Sequence, residues 1–171
     1  MTQYSRFIIK LMALALLLLR HGEVRAEMRA APVELAQYVI RDATGGQFTL
    51  GSFRGKVVLV EFWASWCSRC RAQISEIKAL RETFETGFET VAVNLDEDPA
   101  ASESLLPGFG NKVILGFDPH GGLAELGNIK ELPGLMLVDA QGIGRRVARP
   151  DNKEGWTALR ATILNMTAQR K

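Results

Sequence analysis

The stretch Val57-Val58-Leu59-Val60-Glu61-Phe62-Trp63-Ala64-Ser65-Trp66-Cys67-Ser68-Arg69-Cys70 decides how this chain reads. Its first half, Val57 to Phe62, is a β-branched apolar run of the kind that forms a central strand covered on both faces. Its second half sets two thiols three positions apart, and these are the only cysteines in the chain. Two sulfurs at that spacing on the first turn of a helix can close into a small disulfide ring and reopen it, while the helix N-terminus favours the attacking thiolate. As a static staple the pair achieves little, because so small a ring removes only roughly 2 kcal/mol of chain entropy. A closed zinc site needs four ligands, and beyond residue 26 His120 is the sole histidine. The spacing therefore points to redox chemistry carried by one pair, with no metal and no bound cofactor.

Working outward, Ile74, Ile77, Leu80 and Phe84 recur at helical spacing, with Arg71, Lys78 and Arg81 on other faces. An amphipathic helix is thus predicted to begin at the cysteines and to bury those four residues. Thr90 to Asn94 reads as the next strand, Asp98-Pro99 as the start of a short helix over Ala100 to Leu106, and Lys112 to Leu115 as a further strand. Pro119 to Leu126 fits a brief helix ended by Gly127. Leu135 to Val138 and Gly144 to Ala148 flank the turn Asp139-Ala140-Gln141-Gly142 as a hairpin. Trp156, Leu159, Ile163 and Met166 give a closing amphipathic helix that starts near Asp151-Asn152. Upstream, Glu27 to Val33 reads as a connector, and Tyr38 to Ile40 and Gln47 to Leu50 as a hairpin about Asp42-Ala43-Thr44-Gly45-Gly46. Asp96-Glu97-Asp98 is expected as a solvated helix start, and Gly121-Gly122 and Gly142 to Gly144 as turns with no phosphate-loop pattern. Strands alternating with helices, then a hairpin and a helix, predict an α/β domain over 27–171, a mixed sheet flanked by helices on both faces with an N-terminal β-hairpin extension.

With 171 residues, 47% hydrophobic and 23% charged, the chain is long enough to bury one proper core. Residues 1–26 are expected to be a signal peptide: Arg6 and Lys10 flank or enter an apolar stretch from Phe7 to Leu19, and Val24-Arg25-Ala26 offers a cleavage site. An uncleaved membrane anchor is the competing reading, but a spanning helix wants about 20 apolar residues and Lys10 interrupts this run. Either outcome exports the domain, and the periplasm is the expected compartment. Arg6, Lys10, Arg20 and Arg25 against Glu23 exceed the whole chain's formal +2, so the remainder is close to neutral and carries no nucleic-acid footprint. One close cysteine pair also differs from a disulfide-stapled secreted scaffold, so the apolar core has to hold the fold.

Val57 to Cys70 resembles the strand and active-site helix start of thioredoxin-fold proteins. Phe48 to Gly55 ahead of it, and Gly127-Asn128-Ile129-Lys130-Glu131-Leu132-Pro133-Gly134-Leu135-Met136-Leu137-Val138-Asp139 behind it, are similar to the exported TlpA/ResA-like thiol:disulfide oxidoreductases. The resemblance runs from about Val33 to the C-terminus. Three positions depart from it: Arg69 stands where a proline often precedes the second cysteine, Gly134 where a threonine often follows the later proline, and Gln73 where some members carry a carboxylate. These departures bear on redox potential and partner choice, not on the fold.

Cys67 is expected to be the exposed nucleophile, because it precedes the helix and Arg69 favours its thiolate; Cys70 is then the buried resolving thiol. Glu61, inside a buried strand, favours its protonated form. It sits six positions before Cys67, where thioredoxins carry a buried Asp, and is expected to shuttle the Cys70 proton; the alternative is a side chain that reaches solvent or an ion pair. The resemblance implies a cis bond at Leu132-Pro133, leaving the backbone of Leu132 to pair with a substrate strand. Trp66 is read either as an apolar rim for a partner or as packing, and Trp63 as core. The function that follows is an exported, monomeric thiol:disulfide oxidoreductase acting on protein thiols and disulfides. The resemblance implies a reductant recharged by a membrane thiol reductase, with apocytochrome c cysteines among its clients. A non-catalytic adaptor or assembly chaperone of the same fold is the rival, and a thiol peroxidase is disfavoured because Ala64-Ser65-Trp66 lacks the threonine that peroxiredoxins place before their cysteine.

Overall fold

The structure of the protein, a computed structural model, describes residues 33–169, so the expected signal peptide lies outside the described residues. The chain forms strands β1 (Val33–Glu34), β2 (Val39–Asp42), β3 (Gln47–Thr49) and β4 (Val57–Trp63), then helix α1 (Ser68–Thr83) and strand β5 (Phe88–Asn94). Strand β6 (Ile114–Phe117), helix α2 (Gly122–Leu126), strands β7 (Gly134–Val138) and β8 (Ile143–Val147), and helix α3 (Lys153–Ala168) complete it. All eight strands join one sheet in the order β1-β8-β7-β4-β5-β6-β2-β3, with β4 parallel to β5 and antiparallel to β7.

β4 is buried along its whole length because it is central and both its faces are covered. Val57, Leu59 and Trp63 face the first core cluster, shared with Ile77 and Leu80 of α1 and with Leu159 and Ile163 of α3. Val58, Val60 and Phe62 face the second, shared with Ile40, Leu123 and Met136. The four residues assigned to the buried face of the first helix, Ile74, Ile77, Leu80 and Phe84, all lie in the first cluster, as does Trp63.

The N-terminal hairpin is present as β2–β3 and attaches to the far edge of the sheet through β6. Its turn is held by Asp42, whose Oδ1 accepts from Thr44 N, Thr44 Oγ1 and Gly46 N, with Gly45 at φ 86°. The connector reading of Val33 is corrected: Val33 and Glu34 pair with Gly144 and Ile143, so the chain caps one sheet edge as β1 before crossing to the other. The strand expected over Lys112 to Leu115 runs two residues later, because β6 takes its register from Val91–Asn94 of β5 and continues through Gly116, where β2 pairs with it. A Cβ at Gly116 would lie 2.6 Å from Ile40 Cγ2, so the close approach of β2 requires glycine there. The short helix expected over Ala100 to Leu106 is a longer 3-10 segment, Pro99–Phe109, with Pro107 inside it.

Candidate active site

The site lies where β4 ends. Cys67 is the N-cap of α1, and its Sγ accepts a hydrogen bond from the Cys70 backbone N–H at 3.1 Å. The two cysteines are joined as a disulfide with Cα atoms 5.2 Å apart. Cys70 is 0% exposed and Cys67 7%. The expectation of an exposed Cys67 is therefore corrected to a narrow opening, because the residue packs into the first core cluster; the difference still makes it the more accessible cysteine of the two. Beside it, Trp66 is 71% exposed, which favours the rim over the packing role.

The antiparallel register pairs Phe62 of β4 with Gly134 of β7, which brings the residues before Gly134 alongside the end of β4. The Leu132-Pro133 peptide is cis, as the resemblance implied. Arg69 reaches across from the helix, and its Nη2 donates to Leu132 O at 3.4 Å. A Cβ at Gly134 would collide with Ile129 Cγ2, so glycine replaces threonine after the proline because Ile129 occupies that space. Gln73, at the other departure, is buried, and its Nε2 donates to Pro150 O.

Glu61 is 0% exposed, and neither carboxyl oxygen has a hydrogen-bond partner. The alternative of a side chain reaching solvent or an ion pair is thereby excluded. Burial alone pushes its pKa from 4.5 up to about 8, since nothing compensates the desolvated charge. The two-residue period of β4 sets Glu61 on the face of Leu59 and Trp63, the face that carries α1 and the disulfide, with Ala92 and Leu135 as cross-strand neighbours. Two other buried polar atoms in these strands lack partners, Trp63 Nε1 and Thr90 Oγ1.

Sequence reasoning missed two residues that shape the approach to Cys67. Asp96 is buried rather than part of a solvated helix start, a correction that follows from its partners: its carboxylate accepts from Ser65 N at 2.9 Å, Ser65 Oγ at 3.1 Å and Asn94 Nδ2 at 2.8 Å. Arg71 closes the other side, its Nη1 donating to Ser65 O at 2.6 Å. Only Asp98 of the acidic trio plays the expected capping part, accepting from Ala100 N. No local sequence signal separates Asp96 from its acidic neighbours, because its role depends on a contact 31 positions away. No group of acidic, histidine or cysteine side chains among the described residues could hold a metal ion.

A helix-capping disulfide after a central strand, faced by a cis proline at the head of an antiparallel strand, defines a protein of the thioredoxin-like fold. A thiol:disulfide interchange protein of the DsbE type from Chlorobium tepidum superposes with a TM-score of 0.70 at 28% identity, over 80% of this chain and 98% of that one. A protein from Bacteroides thetaiotaomicron described as a disulfide isomerase gives 0.68 at 26% identity, over 84% and 94%. The redoxin family model matches residues 30–161, and the chain belongs to that family. Among curated relatives, the thiol-disulfide oxidoreductase ResA of Bacillus thuringiensis subsp. konkukian is 27% identical over 110 residues, 64% of each chain, so the match spans under two thirds of that relative's length.

Proposed function

We propose that the protein is a thiol:disulfide oxidoreductase that exchanges the Cys67–Cys70 pair with protein partners. The observation that carries this reading is the asymmetry of the pair: Cys67, at the helix N-terminus with the Cys70 N–H on its sulfur, has the only opening, and Cys70 is sealed behind it. In the reduced protein the Cys67 thiolate attacks a partner disulfide, forming a mixed disulfide and releasing one partner thiolate. Cys70 then loses its proton to Glu61 in its carboxylate form, a minor fraction below about pH 8, directly or through water, and attacks Cys67 Sγ. The bond between Cys67 and the partner breaks, the partner leaves with two electrons, and the internal disulfide is restored. Leu132 and Pro133 seat the partner strand, and Trp66 forms its apolar rim. The reverse sequence, started by a dithiol donor, recharges the protein, with Glu61 returning the proton to Cys70.

The resemblance to TlpA/ResA-like proteins supports export and a reducing direction, with a membrane thiol reductase as electron source and apocytochrome c cysteines as one client class. Insulin reduction by the wild type, and a mixed disulfide trapped on Cys67 by Cys70→Ser, are the expected results. Failure of both would leave the fold as an adaptor. The equilibrium potential against glutathione tests direction: a value near about −270 mV marks a reductant and one near −120 mV an oxidant.

A further inference from the structure

A groove of about 500 Å³ opens beside cis-Pro133, between the loop before β7 and the end of β8. Lys130, Arg146 and Arg149 line it against one carboxylate, that of Glu131. Among the described residues the ion pairs are those of Glu89 with Lys56 and Arg81, so none of the three groove cations has a carboxylate within 4 Å. Arg149 goes further: its Nη1 is buried and has no hydrogen-bond partner. A buried guanidinium nitrogen left unpaired is costly, and a carboxylate bound in the groove beside this partly buried side chain would offset that cost by pairing with the guanidinium's charge.

The neighbourhood strengthens the point. Arg69 adds a fourth cation on the other side of Leu132-Pro133. The chain beyond residue 26 is close to neutral, so this clustering is local to the cysteine face. Strand β1 covers only Ile143 and Gly144 of β8, and edge arginines there also discourage strand addition. That accounts for Arg145 and Arg146 but not for Arg149, which lies past the strand. Arg149 also lines a second groove, of about 410 Å³, that continues past Pro150 to Leu159 and Met166 of α3. An extended chain leaving Pro133 would meet positive charge first and apolar surface next.

We propose that this groove is a subsite for acidic side chains flanking the reactive cysteine of an extended protein client. The proposal rests on the exchange reaction above and names the client chemistry it selects. Its test uses the reduced protein and two synthetic disulfide peptides of equal length, one flanked by glutamates and one by lysines, with neutral hydroxyethyl disulfide as a third substrate. Exchange with the glutamate peptide is expected to be about tenfold faster than with the lysine peptide at low salt, the preference shrinking as salt is added. In R146Q/R149Q the ratio should fall toward one. In the charge-matched K78Q/K112Q, whose lysines are exposed elsewhere, it should persist. Equal peptide rates in the wild type, with both peptides turned over, would overturn the subsite and leave the exchange reaction standing. So would a preference that R146Q/R149Q and K78Q/K112Q lower alike. Failure to exchange with any of the three disulfides would instead refute the redox reading, and the subsite with it.

Discussion

Replacing Glu61 with glutamine keeps the shape of the side chain and removes its titration, which isolates the energetic consequence of burying a carboxyl in the central strand. The unfolded chain releases the Glu61 proton near pH 4.5, whereas the folded chain holds it until about pH 8. Between those values the folded state binds the extra proton, so stability falls as pH rises, by about 1.4 kcal/mol per unit. Across the window the loss amounts to roughly 5 kcal/mol, and by pH 7 to about 3. Below pH 4.5 the group contributes no pH-dependent penalty, and above about pH 8 the full pH-dependent penalty is present. Glu61→Gln has no such slope. Its amide lacks partners as the carboxyl does, but at every pH alike. Urea denaturation of the oxidised wild type and Glu61→Gln from pH 4 to 9 should give curves that diverge steadily from about pH 4.5 upward, with glutamine the more stable form at high pH. The oxidised state keeps the cysteines from titrating, and every other group is common to both proteins. Parallel curves across the window would refute the idea that burial holds this carboxyl neutral, and the proton-shuttle role would lose its physical basis.

Other perturbations read out other parts of the site. Asp96→Ala removes a buried charged acceptor from three donors and should cost about 3 kcal/mol by thermal or urea unfolding. It should also slow alkylation of reduced Cys67, because the Ser65–Trp66 loop loses its anchor; an unchanged rate would show that Arg71 alone positions the loop. Gly134→Thr should destabilise by about 2 kcal/mol through overpacking against Ile129, and adding Ile129→Ala should recover much of that loss, a coupling that a double-mutant cycle measures. Ile77→Ala, at a fully buried position of α1, should cost about 3 kcal/mol of unfolding free energy, and a cost under 1 would place the packing of α1 on β4 elsewhere.

The parts of the fold legible in the sequence are those governed by local pattern. Val57 to Phe62 announces a doubly covered strand because nearly every residue in it is apolar, and the Ile74–Phe84 spacing announces the face of α1 because helix period and burial coincide. The cysteine pair and Pro133 were legible through chemistry and resemblance. What escaped depends on partners distant in sequence. Val33 and Glu34 become a strand only because β8 offers an edge, β6 takes its register from β5, and Asp96 becomes a buried anchor only through Ser65. The basic groove escaped for the same reason, since Lys130 and Arg149 belong to different segments that the β7–β8 pairing draws together.

The arrangement also orders the proposed chemistry in space. The Cys70 N–H donates to the Cys67 sulfur, and Arg69, Lys130, Arg146 and Arg149 gather about the Leu132-Pro133 loop and the end of β8; each lowers the energy of negative charge brought near it. On the face of the sheet behind the pair stands Glu61, a carboxyl that burial keeps protonated until about pH 8 and that therefore adds little negative potential below that value. A charged carboxylate in that position would oppose the Cys67 thiolate, whereas a neutral acid does not, and it still holds a proton that Cys70 can take when the disulfide opens. In the proposed exchange, burial of Glu61 would therefore serve both sulfurs, sparing the charge on one and storing the proton for the other. The same logic explains why the cations lie outside. Within the apolar cluster around Cys70 a cation would face a full desolvation penalty, whereas Lys130, Arg146 and Arg149 line an open groove outside that cluster.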